Sequence, residues 1–151
     1  MPKEGTAHRQ AVRRSRRGPA LNTELQMLVW SVVLGFVHVV LASHSASLQR
    51  GYRWTASARD EPVAPLVGVA GRLERASRNF QETFPLFAAL VFCVQVTGKH
   101  SALSEWGAQL YLAARVAYLA SYALGIPLVR SLVWNVAAVG MALLVASLVR
   151  G

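Results

Sequence analysis

From Gly71 to Leu90 the chain reads GRLERASRNFQETFPLFAAL, crowded at first with Arg72, Glu74, Arg75, Arg78, Asn79 and Glu82, then apolar through Val96. At roughly 100° per residue, Arg72, Arg75, Arg78, Asn79 and Glu82 fall on about a third of a helix's circumference. A charged side chain near the centre of a bilayer costs about 2.5–3.5 kcal/mol on insertion scales. Such a helix can enter a membrane only if the stripe faces protein, water or a polar ligand. The plain alternative is a charged face that snorkels to lipid headgroups.

The rest of the 151-residue chain points to a membrane. It is 54% hydrophobic, with long apolar segments split by short basic loops and a formal net charge of +9, as in a small polytopic membrane protein. The basic excess suits anionic lipid; with no recognition helix or base-stacking sheet, no nucleic-acid partner is expected. Cys93 is the single cysteine, so neither an internal disulfide nor a cysteine-based metal site is available, and its apolar span predicts a small buried hydrophobe. His38 and His44 stand on different helix faces and make no metal pair, so no metal is expected; both are predicted to be hydrogen-bonded packing or interface histidines.

In chain order, residues 1–20 form a flexible basic tail, with Lys3, Arg9, Arg13, Arg14, Arg16 and Arg17 against Glu4. The transmembrane domain covers residues 21–151. Its first span, Leu21 to Ser47, contains an apolar run from Leu25 to Ala42 that is long enough to cross a bilayer, which favours an uncleaved helix over a signal peptide. Asn22 or Thr23 is its N-cap. The loop from Gln49 to Leu66 is rich in arginine. Tyr52 and Trp54 are placed as interface anchors, Pro62 and Pro65 oppose helix, and Arg59, Asp60 and Glu61 stand together. The loop reads either as surface with local ion pairs or as a lip over a neighbouring site.

The second span runs from Gly68 to Thr97 with Pro85 inside it, and Gly98 to Ser101 makes a tight turn. In the third span, Ala102 to Leu124, the residues Tyr111, Arg115, Tyr118 and Tyr122 stack on one stripe. An arginine there needs a partner, and Glu82 is the expected one, either as a site element or as a pair that merely fixes helix registry. The last span, Pro127 to Val149, carries Arg130 in its first turn, on the same side as Arg75 if spans alternate. Four spans with short loops predict an all-α integral membrane protein, an up-down four-helix transmembrane bundle. His44 and Gln49 approach the side that the second span's stripe faces.

Two strings carry a family resemblance. The run Arg75-Ala76-Ser77-Arg78-Asn79-Phe80-Gln81-Glu82, followed by Phe84-Pro85-Leu86-Phe87, resembles the signature of the membrane-associated proteins in eicosanoid and glutathione metabolism, the MAPEG family. The strings YLAARVAYLASYALGIPLVRSLVW and RWTASARDEP are similar to its bacterial branch. The resemblance covers Leu21 to Val149. It implies a homotrimer in the bacterial inner (cytoplasmic) membrane, with glutathione as co-substrate held between subunits at the cytosolic side. By motif position, Arg75, Asn79 and Glu82 would bind the tripeptide, met by Arg115 and Tyr118 from the third helix, with Arg72, Arg78 and His44 in support. Arg130 and Tyr122 would act on the thiol.

The residues agree with that implication independently. Glutathione carries two carboxylates and one ammonium, which several arginines and one carboxylate complement. Three readings follow: a membrane glutathione transferase or peroxidase acting on lipophilic electrophiles or lipid hydroperoxides, a non-catalytic scaffold or lipid-binding member, and a small proton-coupled transporter using Glu82 and Arg115.

Overall fold

The computed structural model describes residues 21–60 and 62–150. The basic tail expected over residues 1–20, and Glu61 of the Arg59–Asp60–Glu61 cluster, lie outside the described residues. Among the described residues five helices follow one another: α1 (Thr23–Arg50), α2 (Tyr52–Thr55), α3 (Gly68–Thr97), α4 (Ala102–Leu124) and α5 (Pro127–Arg150). The four long helices lie within about one turn of the spans expected from the sequence. The four-residue α2 was not anticipated within the loop. Pro62 and Pro65 stop helix only at their own positions and leave Tyr52 to Thr55 free to form one turn.

Local chemistry sets the boundaries. Asn22 caps α1, its Oδ1 accepting from the Leu25 N–H at 3.0 Å. Gly98 and Gly125 end α3 and α4 in the left-handed region, at φ 66° and 77°. Ser101 and Ser104 form a reciprocal capping box at the start of α4.

Among the described residues three helices are long and apolar enough to cross a membrane: Thr23–Arg50, Gly68–Thr97 and Leu128–Arg150. The more polar α4, with Glu105, Gln109, Arg115 and three tyrosines, falls short of that measure. The bundle is inverted relative to a water-soluble one. Trp30, Phe36 and Leu128 point outward at 60%, 74% and 85% exposure, while Ser31, His38 and Arg115 are buried at 1% or less. So large an apolar exterior around polar groups is the arrangement a lipid solvent favours. Cys93 belongs to the exterior. It was expected to be buried, but it is exposed, because α3 turns Phe87, Val91 and Val94 inward and leaves Cys93 off that stripe.

Close helix contacts replace a large apolar core. α4 packs on α5 through Gly107 and Gly140, where a Cβ on either would come within 2.7 Å of the other's carbonyl oxygen. Next to them, the Phe87 and Tyr111 rings stack at 3.9 Å. At the N-terminal end of α1, Asn22 and Gln95 exchange two side-chain hydrogen bonds. There too, buried Glu24 accepts from the Ser104 hydroxyl, and Lys99 donates to the Leu148 carbonyl at 2.7 Å. These bonds fix the turn end of the bundle. The loop end, where α1 and α4 finish and α3 and α5 begin, holds the arginines.

Candidate functional site

The C-terminus of α4 leaves carbonyls without intrahelical partners, and α3 supplies what they lack. Arg72 donates from Nε to Tyr122 O at 3.0 Å and from Nη2 to Ala123 O at 3.3 Å. This bond pair draws the start of α3 against the end of α4 and sets Arg75, one turn further along α3, beside Tyr122. The two-residue turn at Gly125 and Ile126 then brings Arg130 back over the same ring, with its guanidinium carbon 5.3 Å from the Tyr122 centroid.

Two cavities open there. One, of about 120 Å³, is walled by Arg72, Arg75, Ser121, Tyr122, Gly125, Ile126 and Arg130. The second, about 250 Å³, is walled by Tyr118, Tyr122, Arg130, Ser131, Trp134 and Asn135. Tyr122 and Arg130 belong to both, so they form the partition between them. Three guanidiniums and no carboxylate line the pair, which makes it a receptor for anionic groups.

Behind the partition the polar stripe continues inward. The Tyr118 and Tyr122 rings lie 4.8 Å apart. Below them Arg115, 1% exposed, sits against Tyr118 and Tyr111 at 5.5 Å and 5.3 Å. Its Nη1 donates to Asn79 Oδ1 at 2.9 Å, while Nε and Nη2 are buried without a partner. The expected Glu82 partner is therefore corrected: Asn79 takes that place. Glu82 lies three residues on, roughly 60° around the helix from Asn79, and is exposed on the surface.

The other expected site residues separate. Arg72, Arg75, Tyr118, Tyr122 and Arg130 meet at the cavities, with Asn79 and Arg115 one layer deeper. Arg78 is exposed and faces Glu74 at 3.9 Å. His44 is exposed on α1 and lines neither cavity. His38 was expected to be hydrogen bonded, yet neither ring nitrogen has a partner; the ring stacks on Phe80 at 4.8 Å instead. Six wall residues were not among the expected site residues: Ser121, Gly125, Ile126, Ser131, Trp134 and Asn135. The i, i+4 pairs Arg130/Trp134 and Ser131/Asn135 on α5 are the signal that could have found three of them.

A family model described as the MAPEG family matches residues 27–150, from the second turn of α1 to the end of α5. No curated protein matches the chain.

Proposed function

The chain belongs to the MAPEG family, and on that premise we propose that it is an integral-membrane glutathione-binding enzyme, a transferase or peroxidase for lipophilic electrophiles or lipid hydroperoxides. The observation that carries this reading is the pair of adjoining cavities at the loop end, lined by Arg72, Arg75 and Arg130 and partitioned by Tyr122. Arg72 and Arg75 suit the carboxylates of the tripeptide. Glutathione supplies the sulfur nucleophile.

A free thiol with a pKa of about 8.5 is only a few per cent ionised at neutral pH. Lowering it to about 7 takes roughly 2 kcal/mol at about 1.4 kcal/mol per unit. A cation such as Arg130 and a phenol O–H such as Tyr122, both facing the sulfur, are of the right kind to supply that. Lipophilic second substrates reach the sulfur from the bilayer through the wall formed by Trp134.

Cavities of about 120 and 250 Å³ are small beside the roughly 300–1,000 Å³ of ordinary ligand sites. We therefore read each subunit as contributing part of a site that a second copy completes, in a homotrimer. The exposed Glu82 is placed to meet the ligand's ammonium from that neighbour. The loop end faces the cytosol, where glutathione is held, and the bacterial inner membrane is the proposed location.

A second reading, a non-catalytic scaffold, draws support from one observation: Glu82 lines neither cavity, which leaves the ammonium unpartnered within one subunit. Titration calorimetry of glutathione into the detergent-solubilised protein separates the two. The enzyme reading expects saturable binding that Arg75→Ala weakens at least about tenfold, the effect of one charge-assisted hydrogen bond. The absence of binding to the unaltered protein would favour the scaffold.

A further inference from the structure

Residues 53–60, RWTASARD, have no part in the thiol site, yet they help to form a second basic cavity on the opposite side of α3. α1 ends in Arg50, and the chain turns at Gly51 into the single helical turn of α2. Trp54 is thereby set against the Arg50 guanidinium, 4.9 Å from carbon to ring centroid. Arg59 returns to the same ring at 5.8 Å. Its backbone is in the left-handed region at φ 63°, unusual for a residue with a Cβ. Two hydrogen bonds from its guanidinium to Thr55 O, at 3.3 Å and 3.1 Å, hold it there. Thr55 in turn donates to the Ser47 hydroxyl of α1 at 3.1 Å.

The furrow so formed has a volume of about 260 Å³. Arg50, Trp54 and Arg59 line it together with Glu74 of α3 and the small residues Ala42, Ser43 and Ala46 of α1. Trp54 and Arg59 also wall a neighbouring hollow of about 440 Å³ that adds Arg53 and, as its one carboxylate among the described residues, Asp60. Two N–H donors of residues that line the furrow, Arg50 Nε and Trp54 Nε1, are buried without an acceptor among the described residues. Buried donors of this kind are costly unless something accepts from them.

Geometry restricts what the acceptor is. Among the described residues Glu74 is the one carboxylate that lines the furrow, and it lies within 3.9 Å of Arg78. The site stands where a membrane-length helix ends, with Tyr52 exposed beside it, at the depth where aromatic and basic side chains meet headgroups. We propose that this furrow binds the phosphate of a net-anionic membrane phospholipid, with Arg50 and Arg59 on the phosphate and the acyl chain lying along the small residues of α1. The loop is then a lipid clamp rather than a lip over the thiol site, and the proposal is independent of glutathione binding.

Native mass spectrometry of the full chain in dodecyl maltoside tests it, with dioleoylphosphatidylglycerol, dioleoylphosphatidylcholine and glycerol 1-phosphate titrated in parallel. The anionic lipid is expected to bind most tightly. Each arginine near a membrane surface contributes about fivefold, so Arg59→Gln should weaken it about fivefold and Arg50→Gln with Arg59→Gln about thirtyfold. Arg78→Gln, at the same end but outside the furrow, should change it less than twofold. Because Arg59 lies in an exposed loop, its single variant keeps the test valid if the double variant does not fold. Equal affinity for the two lipids, an effect of Arg78→Gln as large as that of Arg59→Gln, or no effect of either furrow arginine would overturn the proposal. Binding of glycerol 1-phosphate as tight as that of the lipid would assign the furrow to a soluble phosphate instead.

Discussion

Replacing Asn79 and replacing Arg115 should have unequal effects on stability, although the two residues share one hydrogen bond. Arg115 is buried with a single acceptor, Asn79 Oδ1 at 2.9 Å, and two ring faces at 5.3 Å and 5.5 Å. Desolvating an ion costs several kcal/mol even after relaxation. Against that, a hydrogen bond from a charged group returns about 1.5–3 kcal/mol, and desolvated cation–π contacts return up to about 2 kcal/mol each. These terms nearly cancel, so Arg115→Met, which keeps length and removes charge, should shift stability by no more than about 1 kcal/mol. Asn79→Ala leaves the cation in place without its acceptor and should cost about 2–3 kcal/mol. The double variant should recover most of that loss, a coupling that a cycle measures directly. Reversible unfolding in mixed micelles of increasing dodecyl sulfate fraction, followed by circular dichroism, gives the differences. If Arg115→Met proves as damaging as Asn79→Ala, or the two effects add, the guanidinium has strong partners beyond Asn79 and this balance is wrong.

Other expectations follow from close contacts. Gly140→Leu places a side chain against the Gly107 carbonyl and the Tyr111 backbone, neither of which can yield, and should cost about 1–3 kcal/mol in the same unfolding assay. Glu24→Ala removes the carboxylate acceptor of the buried Ser104 hydroxyl, which keeps Ser101 O as its alternative at 2.8 Å, and should cost about 1 kcal/mol, whereas Glu105→Ala on the exposed first turn of α4 should cost less than about 0.5 kcal/mol. Arg72→Ala uncaps α4 and removes one wall of the cavity, so both stability and glutathione affinity should fall. Arg78→Ala, whose side chain is on the surface beside Glu74, should leave glutathione affinity within about twofold.

What could be read in advance divides along a physical line. Helix positions and family were legible because hydropathy, capping and motif order are written in neighbouring residues: Asn22, Gly98, Gly125 and the Arg75–Glu82 run each act locally. Contacts between helices were less so. The Arg115 partner lies on the expected face of α3, but whether Asn79 or Glu82 reaches it depends on a rotation of roughly 60° that packing alone decides. Cys93 and His38 were misjudged for the same reason. An apolar surrounding sequence does not say whether a residue meets lipid or protein, and a buried imidazole without a hydrogen bond is a product of its Phe80 neighbour. In the cavities, the arginines and Tyr122 stood out by their charge and spacing, whereas Ser121 and Ser131 resemble many other serines on a helix.

On the proposed reading, guanidinium and phenol groups at the loop end hold a small thiol as its anion. Thiolate difference absorbance on adding glutathione to the solubilised protein at neutral pH measures this directly. A saturable rise well above that of free glutathione, lost in Arg130→Ala and reduced in Tyr122→Phe, is the predicted result. No rise in the unaltered protein, or a rise that survives Arg130→Ala, would contradict it.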